Sequence, residues 1–264
     1  MFGQFRAFWA YRHFTISAIR GELKTRFIRS KLGAAWFVLH PLAMAGVYAL
    51  VLSEVLGAKL GGIDNKAGYA IYLLAGVAGW GLFSEILNRC MSIFIEYSAT
   101  LKKISFPRIC LPIIVLGSAM INHILLLVAV IFIYVLYGHY PSVHWLAIPV
   151  GIAMVATLAF GLGIFLGVLN VFSRDIAQVV TVVVNLWFWL TPIVYSTDMI
   201  GDNIKNLIEL NPMTALVGVY QDVLVFNKWP DWGSLLPPLI LTLVMLGLSI
   251  AVFRRASADL VDVL

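Results

Sequence analysis

"ICLPIIVLGSAMINHILLLVAVIFIYVL", residues 109–136, runs from end to end without an Asp, Glu, Lys or Arg. A bilayer hydrocarbon core needs about 20 consecutive apolar residues in a helix to cross it, and this stretch exceeds that length. Working outward, five further segments reach it: 35–56, 69–88, 145–171, 177–195 and 235–253. The 264-residue chain is 61% apolar and only 12% charged, about half the charge fraction of a soluble domain. So much apolar surface cannot be hidden from water in a chain of this size. The sequence predicts an all-α integral membrane protein with six transmembrane helices.

Lysine and arginine set the orientation. Residues 1–34, 89–108, 172–176 and 254–264 carry fourteen of them, whereas the opposite connections hold only Lys59, Lys66, Lys205 and Lys228. Both termini are therefore expected on the cytoplasmic side. The net charge of +5 is read as this orientation signal. No long basic run stands apart from the bilayer, so no nucleic-acid partner is expected. The start, MFGQFRAFWAYRHF, lacks the apolar core and small-residue cleavage site of a signal peptide, and none is predicted. Cys90 and Cys110 fall at cytoplasmic helix ends and fit inert free thiols.

Two cytoplasmic segments are amphipathic. In 1–34, Phe5, Phe8, Trp9, Ile16, Ile19, Leu23 and Phe27 recur at helical spacing among basic residues, as in a helix lying in the headgroup layer. We separate this interface segment from a transmembrane domain over 35–264. Between the second and third spans, EYSATLKKISFP (96–107) mixes Leu101, Ile104 and Phe106 with Lys102 and Lys103. That pattern fits a short helix offered to a partner, and equally one dipping into headgroups.

Polar residues within the spans read as packing devices. Ala159, Gly163 and Gly167 make a small-residue stripe for close helix contact. Glu85 and Arg89 stand four apart and are expected to pair. Asn122 and His123 suit interhelical hydrogen bonding. In NLWFWLTPIVY (185–195), helical periodicity puts Trp187, Thr191 and Tyr195 on one stripe and Asn185, Trp189 and Pro192 on another.

Several chemistries lack their residues. The sequence has no G-x-x-x-x-G-K-[ST] phosphate loop, no H-E-x-x-H and no CxxC, so no ATP site, metal site or catalytic residue is expected in this chain. Acidic residues are missing from the central membrane layer, which argues against ion-driven transport. Energy for any transport would come from a partner.

RGELKTRFIRSKLGAAWFVLHPL (20–42) resembles the opening signature of type-2 ABC exporter permeases of the polysaccharide branch, with Ser30, Leu32, Gly33, Trp36 and Pro41 at its marked positions. NVFSRDI (170–176), WFWLTPIVYS (187–196) and NPMTALVGVYQDVLV (211–225) are similar to that family's Arg-Asp turn, Thr-Pro-x-x-Tyr segment and Asn-Pro segment. The four matches come in order across nearly the whole chain. One departs from the pattern: Gln221 follows Tyr220, where the family often has arginine.

The resemblance is closest to O-antigen exporters, with capsule and teichoic-acid exporters as near relatives. It implies a homodimer in the bacterial inner membrane, working with two separate ATPase subunits that bind ATP and Mg. This chain itself would hold no cofactor and would be no enzyme. The cargo would be a polysaccharide on an undecaprenyl-type lipid. Residues 98–106 would form a coupling helix, with Ser98, Leu101, Lys102, Lys103, Ile104 and Phe106 facing the ATPase. Residues 196–233 would fold as short re-entrant helices at the outer mouth. Arg20, Lys24, Arg26, Arg29 and Lys31 become candidates for attracting the lipid pyrophosphate, a role they share with ordinary topology signals. Trp187, Thr191, Tyr195, Asn185, Trp189 and Trp36 become candidate channel residues, with preference for the Trp187–Thr191–Tyr195 stripe. Export of a drug or small lipid is the alternative within transport. A membrane-embedded enzyme of envelope synthesis is the alternative of another class, disfavoured by the lack of an acidic cluster.

Overall fold

The computed structural model describes residues 11–28, 66–103, 106–197 and 200–256, together with positions 35, 36, 39, 43, 46 and 47. The expected first span, 35–56, thus lies almost wholly outside the described residues. Among the latter the helices are α1 (Arg12–Ile28), α2 (Lys66–Glu96), α3 (Ser98–Lys103), α4 (Cys110–Leu136), α5 (Ile148–Phe172), α6 (Asp175–Trp189), α7 (Asp202–Glu209), α8 (Pro212–Leu224) and α9 (Leu236–Ala256). A 3₁₀ turn, Val143–Ala147, leads into α5. No strand occurs among the described residues.

Four of these helices have the length and apolarity to cross a membrane: α2, α4, α5 with its 3₁₀ turn, and α9. The expected span 177–195 is shorter than its apolar run. Helix α6 has 15 residues, about 22 Å at 1.5 Å per residue, and stops before the Thr-Pro pair. Proline lacks the N–H that would continue the ladder and disfavours helical geometry in the residue before it. The amide of Leu190 still reaches the Leu186 carbonyl at 3.2 Å, and that of Thr191 turns to Phe188 at 3.2 Å. Beyond them the chain leaves the helix.

Helix α2 is the hub, packed against α4, α5, α6 and α8. Leu73, Ala75, Phe83, Ile86, Cys90 and Phe94 along it have no exposed surface. Where lipid is as apolar as leucine, such contact comes from close packing, and the small-residue stripe of α5 supplies it. A Cβ on Gly163 would stand 2.6 Å from Cys90 Cβ, and one on Gly167 would stand 2.5 Å from the Cys90 carbonyl oxygen. Asn170, one turn on, donates its amide to the Met91 carbonyl at 3.1 Å. Gly161 faces away toward α9, where a Cβ would meet the Leu246 backbone nitrogen at 3.2 Å.

The outer faces stay apolar. On α4, Ile124, Val128, Phe132 and Leu136 form an exposed stripe at four-residue spacing, as a lipid-facing helix requires. Helix α1 does not lie free of the bundle. Its Ile19 fills the space above Gly117 of α4, where a Cβ would fall 2.5 Å from Ile19 Cδ1. Thr15 is buried on the same side. Its aromatic Phe14 packs on Phe106 beyond α3, ring centroids 5.2 Å apart.

Candidate functional site

Beyond the end of α6, residues 192–195 leave backbone carbonyls unpaired within their own segment, a costly state where water is scarce. Two tyrosines at i, i+3 on α2 answer them. Tyr69 Oη–H donates to the Val194 carbonyl at 2.6 Å. Tyr72 Oη lies 3.1 Å from the Pro192 carbonyl oxygen and 3.0 Å from that of Tyr195. From α8, Gln221 Nε2–H donates to the Pro192 carbonyl at 2.9 Å. The departure from the family pattern therefore has a structural role here: an uncharged amide holds the break in place.

The tip of α6 is tied to the start of α8. Asn211 is the N-cap of α8, its side chain accepting from the Met213 amide at 3.0 Å, with Pro212 following, as helix starts favour. The same oxygen accepts from the Trp187 indole N–H at 2.7 Å, and the Asn211 amide reaches the Leu190 carbonyl at 3.1 Å and Thr191 Oγ1 at 3.0 Å. Thr191 in turn donates to the Trp187 carbonyl at 2.9 Å. The Trp187 ring packs edge-on against Phe83 at 5.2 Å and Trp80 at 6.2 Å between centroids.

This placement turns Trp187 and Thr191 of the preferred stripe inward. Thr191 has no exposed surface and Trp187 is half-buried. Their polar atoms are engaged within the protein, the indole N–H by Asn211 and the Thr191 hydroxyl by the Trp187 carbonyl. Tyr195, half-buried, donates its hydroxyl to the Trp189 carbonyl at 3.0 Å. The open face of α6 carries Asn185 and Trp189, the latter 55% exposed. Pro192 does not continue that stripe, because the helix has ended and the ring is buried. Trp36 is exposed as well.

At the other end of the bundle the expected Glu85–Arg89 pair is present at 3.4 Å, within a larger network. Arg89 also forms an ion pair with Glu22 of α1 and donates to Ser118 Oγ at 3.0 Å. Ser118 Oγ lies 3.1 Å from the second Glu22 oxygen, and Asn122 donates to Glu85 at 2.8 Å. Sequence reasoning missed Glu22, whose partners are 67 and 96 residues away. It found His123, which bonds Tyr220 Oη at 3.1 Å.

Of the expected coupling residues, Leu101 is buried, Ser98 and Phe106 are half-buried, and Lys102 and Lys103 are exposed in the last turn of α3. Of the expected helix 98–106, Ser98–Lys103 is described as helical and Phe106 is not helical. Ile104 lies outside the described residues. Arg20 and Lys24 are exposed on α1. The side chain of Arg26, and Arg29 and Lys31 entirely, lie outside the described residues. Among the described residues no group of His, Cys, Asp and Glu is arranged to hold a metal ion.

Comparison with known proteins matches residues 14–225 to the family described as ABC-2 type transporter. The chain is 28% identical over 259 residues, 97% of each chain, to the O-antigen export system permease protein RfbA of Myxococcus xanthus. It is 30% identical over 234 residues, 87% of each chain, to the RfbA protein of the same description from Klebsiella pneumoniae. The polysialic acid transport protein KpsM of Escherichia coli is 22% identical over 238 residues, 88% of this chain and 89% of that one.

Proposed function

This chain belongs to the ABC-2 type transporter family, and from that premise we propose that it is the membrane permease of an ATP-driven exporter of lipid-linked polysaccharide of the O-antigen kind. The observation that carries this reading is similarity to an O-antigen export permease over 97% of both chains. Two copies of the chain pair with two ATPase subunits in the inner membrane, both termini cytoplasmic. The exposed lysines of α3 and the docked α1 face the ATPase. The lipid carrier is of the undecaprenyl type, its pyrophosphate drawn by the basic residues of 20–31.

Physical chemistry assigns the parts. A sugar chain passes best along a surface of aromatic faces and hydrogen-bonding side chains. Asn185 and Trp189 on the open face of α6, with Trp36, meet that need. Trp187, Thr191 and Tyr195 hold the end of α6 in place behind them.

The test is deletion of the gene with chemical analysis of the polymer. Surface polysaccharide disappears and its lipid-linked form accumulates inside the cell. Undiminished surface polymer would overturn the reading. An accumulated polymer of capsule type would move the assignment toward the function named for the KpsM relative.

A further inference from the structure

Two adjoining cavities of about 360 and 510 Å³ open where α7, α8 and the 226–234 turn meet, sharing Thr197, Thr214, Gly218 and Asp222 as walls. Each is within the 300–1,000 Å³ typical of small-ligand sites. By the lysine and arginine bias this face lies outside the membrane, beside the end of α6.

Gly218 is the first sign that the space is kept open. A glycine inside a helix costs about 1 kcal/mol relative to alanine, and at Gly79 and Gly151 close packing accounts for it. A Cβ on Gly79 would meet Tyr220 at 3.0 Å, and one on Gly151 would meet Val219 at 2.9 Å. A Cβ on Gly218 would meet nothing within 4 Å. Packing does not require glycine there. Its absent side chain leaves bare backbone as the floor of both cavities.

The second sign is Asp222. Its carboxylate lines both cavities, and among the described residues its side chain takes no hydrogen bond. Its backbone carbonyl accepts from the Lys228 amide at 2.9 Å. Burial pushes its carboxyl above the ordinary range, with Lys228 pulling it back. A half-buried carboxylate is acceptor-only, so a ligand rich in donors suits the site. Vicinal hydroxyls or an ammonium group supply them. The Phe226 ring gives one cavity an apolar wall against which a sugar C–H face can lie.

The charge balance narrows the ligand. Among the described lining residues three carboxylates, Glu209, Asp222 and Asp231, stand against the ammonium of Lys228. A net negative cleft repels uronate, sialate or phosphate units and accepts neutral or amino sugars. We propose that this cleft is a sugar-binding subsite for neutral or amino-bearing pyranose units that discriminates against acidic ones. This deepens the polysaccharide-export reading and rests on it.

The test uses the full chain in lipid nanodiscs and saturation-transfer NMR with three probes: maltopentaose, a glucosamine pentamer and a galacturonate pentamer. The neutral and amino oligomers receive transfer and the acidic one does not. Gly218→Leu, which fills the floor, weakens binding about tenfold or more, whereas Gly218→Ala stays within about twofold. Glu209→Lys combined with Asp231→Lys, both on the exposed rim, turns the preference toward the galacturonate probe. This pair keeps the test decisive should Gly218→Leu not fold. Equal transfer to all three probes, binding unaffected by Gly218→Leu, or no change of preference in the rim pair overturns the proposal. Gene deletion that leaves surface polymer unchanged would instead overturn the export reading, and the NMR titration would still report on the cleft.

Discussion

The indole N–H of Trp187 donates to the side-chain oxygen of Asn211 over 2.7 Å, tying the last turn of α6 to the first turn of α8. The contact spans 24 residues of sequence and fixes which face of α6 turns inward. Asn211→Ala removes the N-cap and strands the Trp187 N–H, a combined loss of about 2–4 kcal/mol. Trp187→Phe keeps the ring contacts and the cap, and costs about 1 kcal/mol. Thermal unfolding of the purified protein should rank the two in that order.

The two tryptophans should separate by phenotype. Trp187→Ala removes a ring packed on Phe83 and Trp80 and lowers stability by up to about 4 kcal/mol. Trp189→Ala, at an exposed position, leaves unfolding nearly unchanged and lowers surface polysaccharide at matched protein level. Export that is normal in Trp189→Ala removes that ring from the proposed path.

Glu22 joins α1 to the bundle through Arg89 and Ser118. The pair is about one-fifth exposed, 20% and 18%, so solvent screening limits its worth. Glu22→Gln should cost about 1–2 kcal/mol. A double-mutant cycle with Arg89→Met isolates the coupling. A cycle that closes at zero would mean that α1 is held by Ile19 and its apolar neighbours alone.

Lys102 and Lys103 end α3 exposed while Leu101 anchors it. Reversing both charges to Glu should abolish substrate-stimulated ATP hydrolysis in the reconstituted complex while membrane insertion persists. Stimulation at the native level would leave the two lysines as orientation signals only.

Glycines on α5 and α2 give opposite results on stability. Gly167→Ala drives a Cβ to 2.5 Å from a backbone oxygen that cannot step aside, destabilising by about 1–3 kcal/mol. Gly81→Ala meets nothing within 4 Å and stabilises by up to about 1 kcal/mol through helix propensity. Denaturation curves of the two variants should shift in opposite directions.

The apolar runs determined the membrane class, because span length follows directly from bilayer thickness and helical rise. Local chemistry also made the stripe of small residues on α5 legible. The direction in which α6 faces was not legible. Trp187 and Trp189 are alike in hydropathy, and helical periodicity says only that they point apart. Asn211 decides between them, returning from the next helix to take the Trp187 proton. Glu22, Tyr69, Tyr72 and Gln221 were hidden for the same reason. Their partners lie 67 and 96, 125, 120 and 123, and 29 residues away respectively, and a buried polar group takes its meaning from whatever the fold brings within about 3 Å of it.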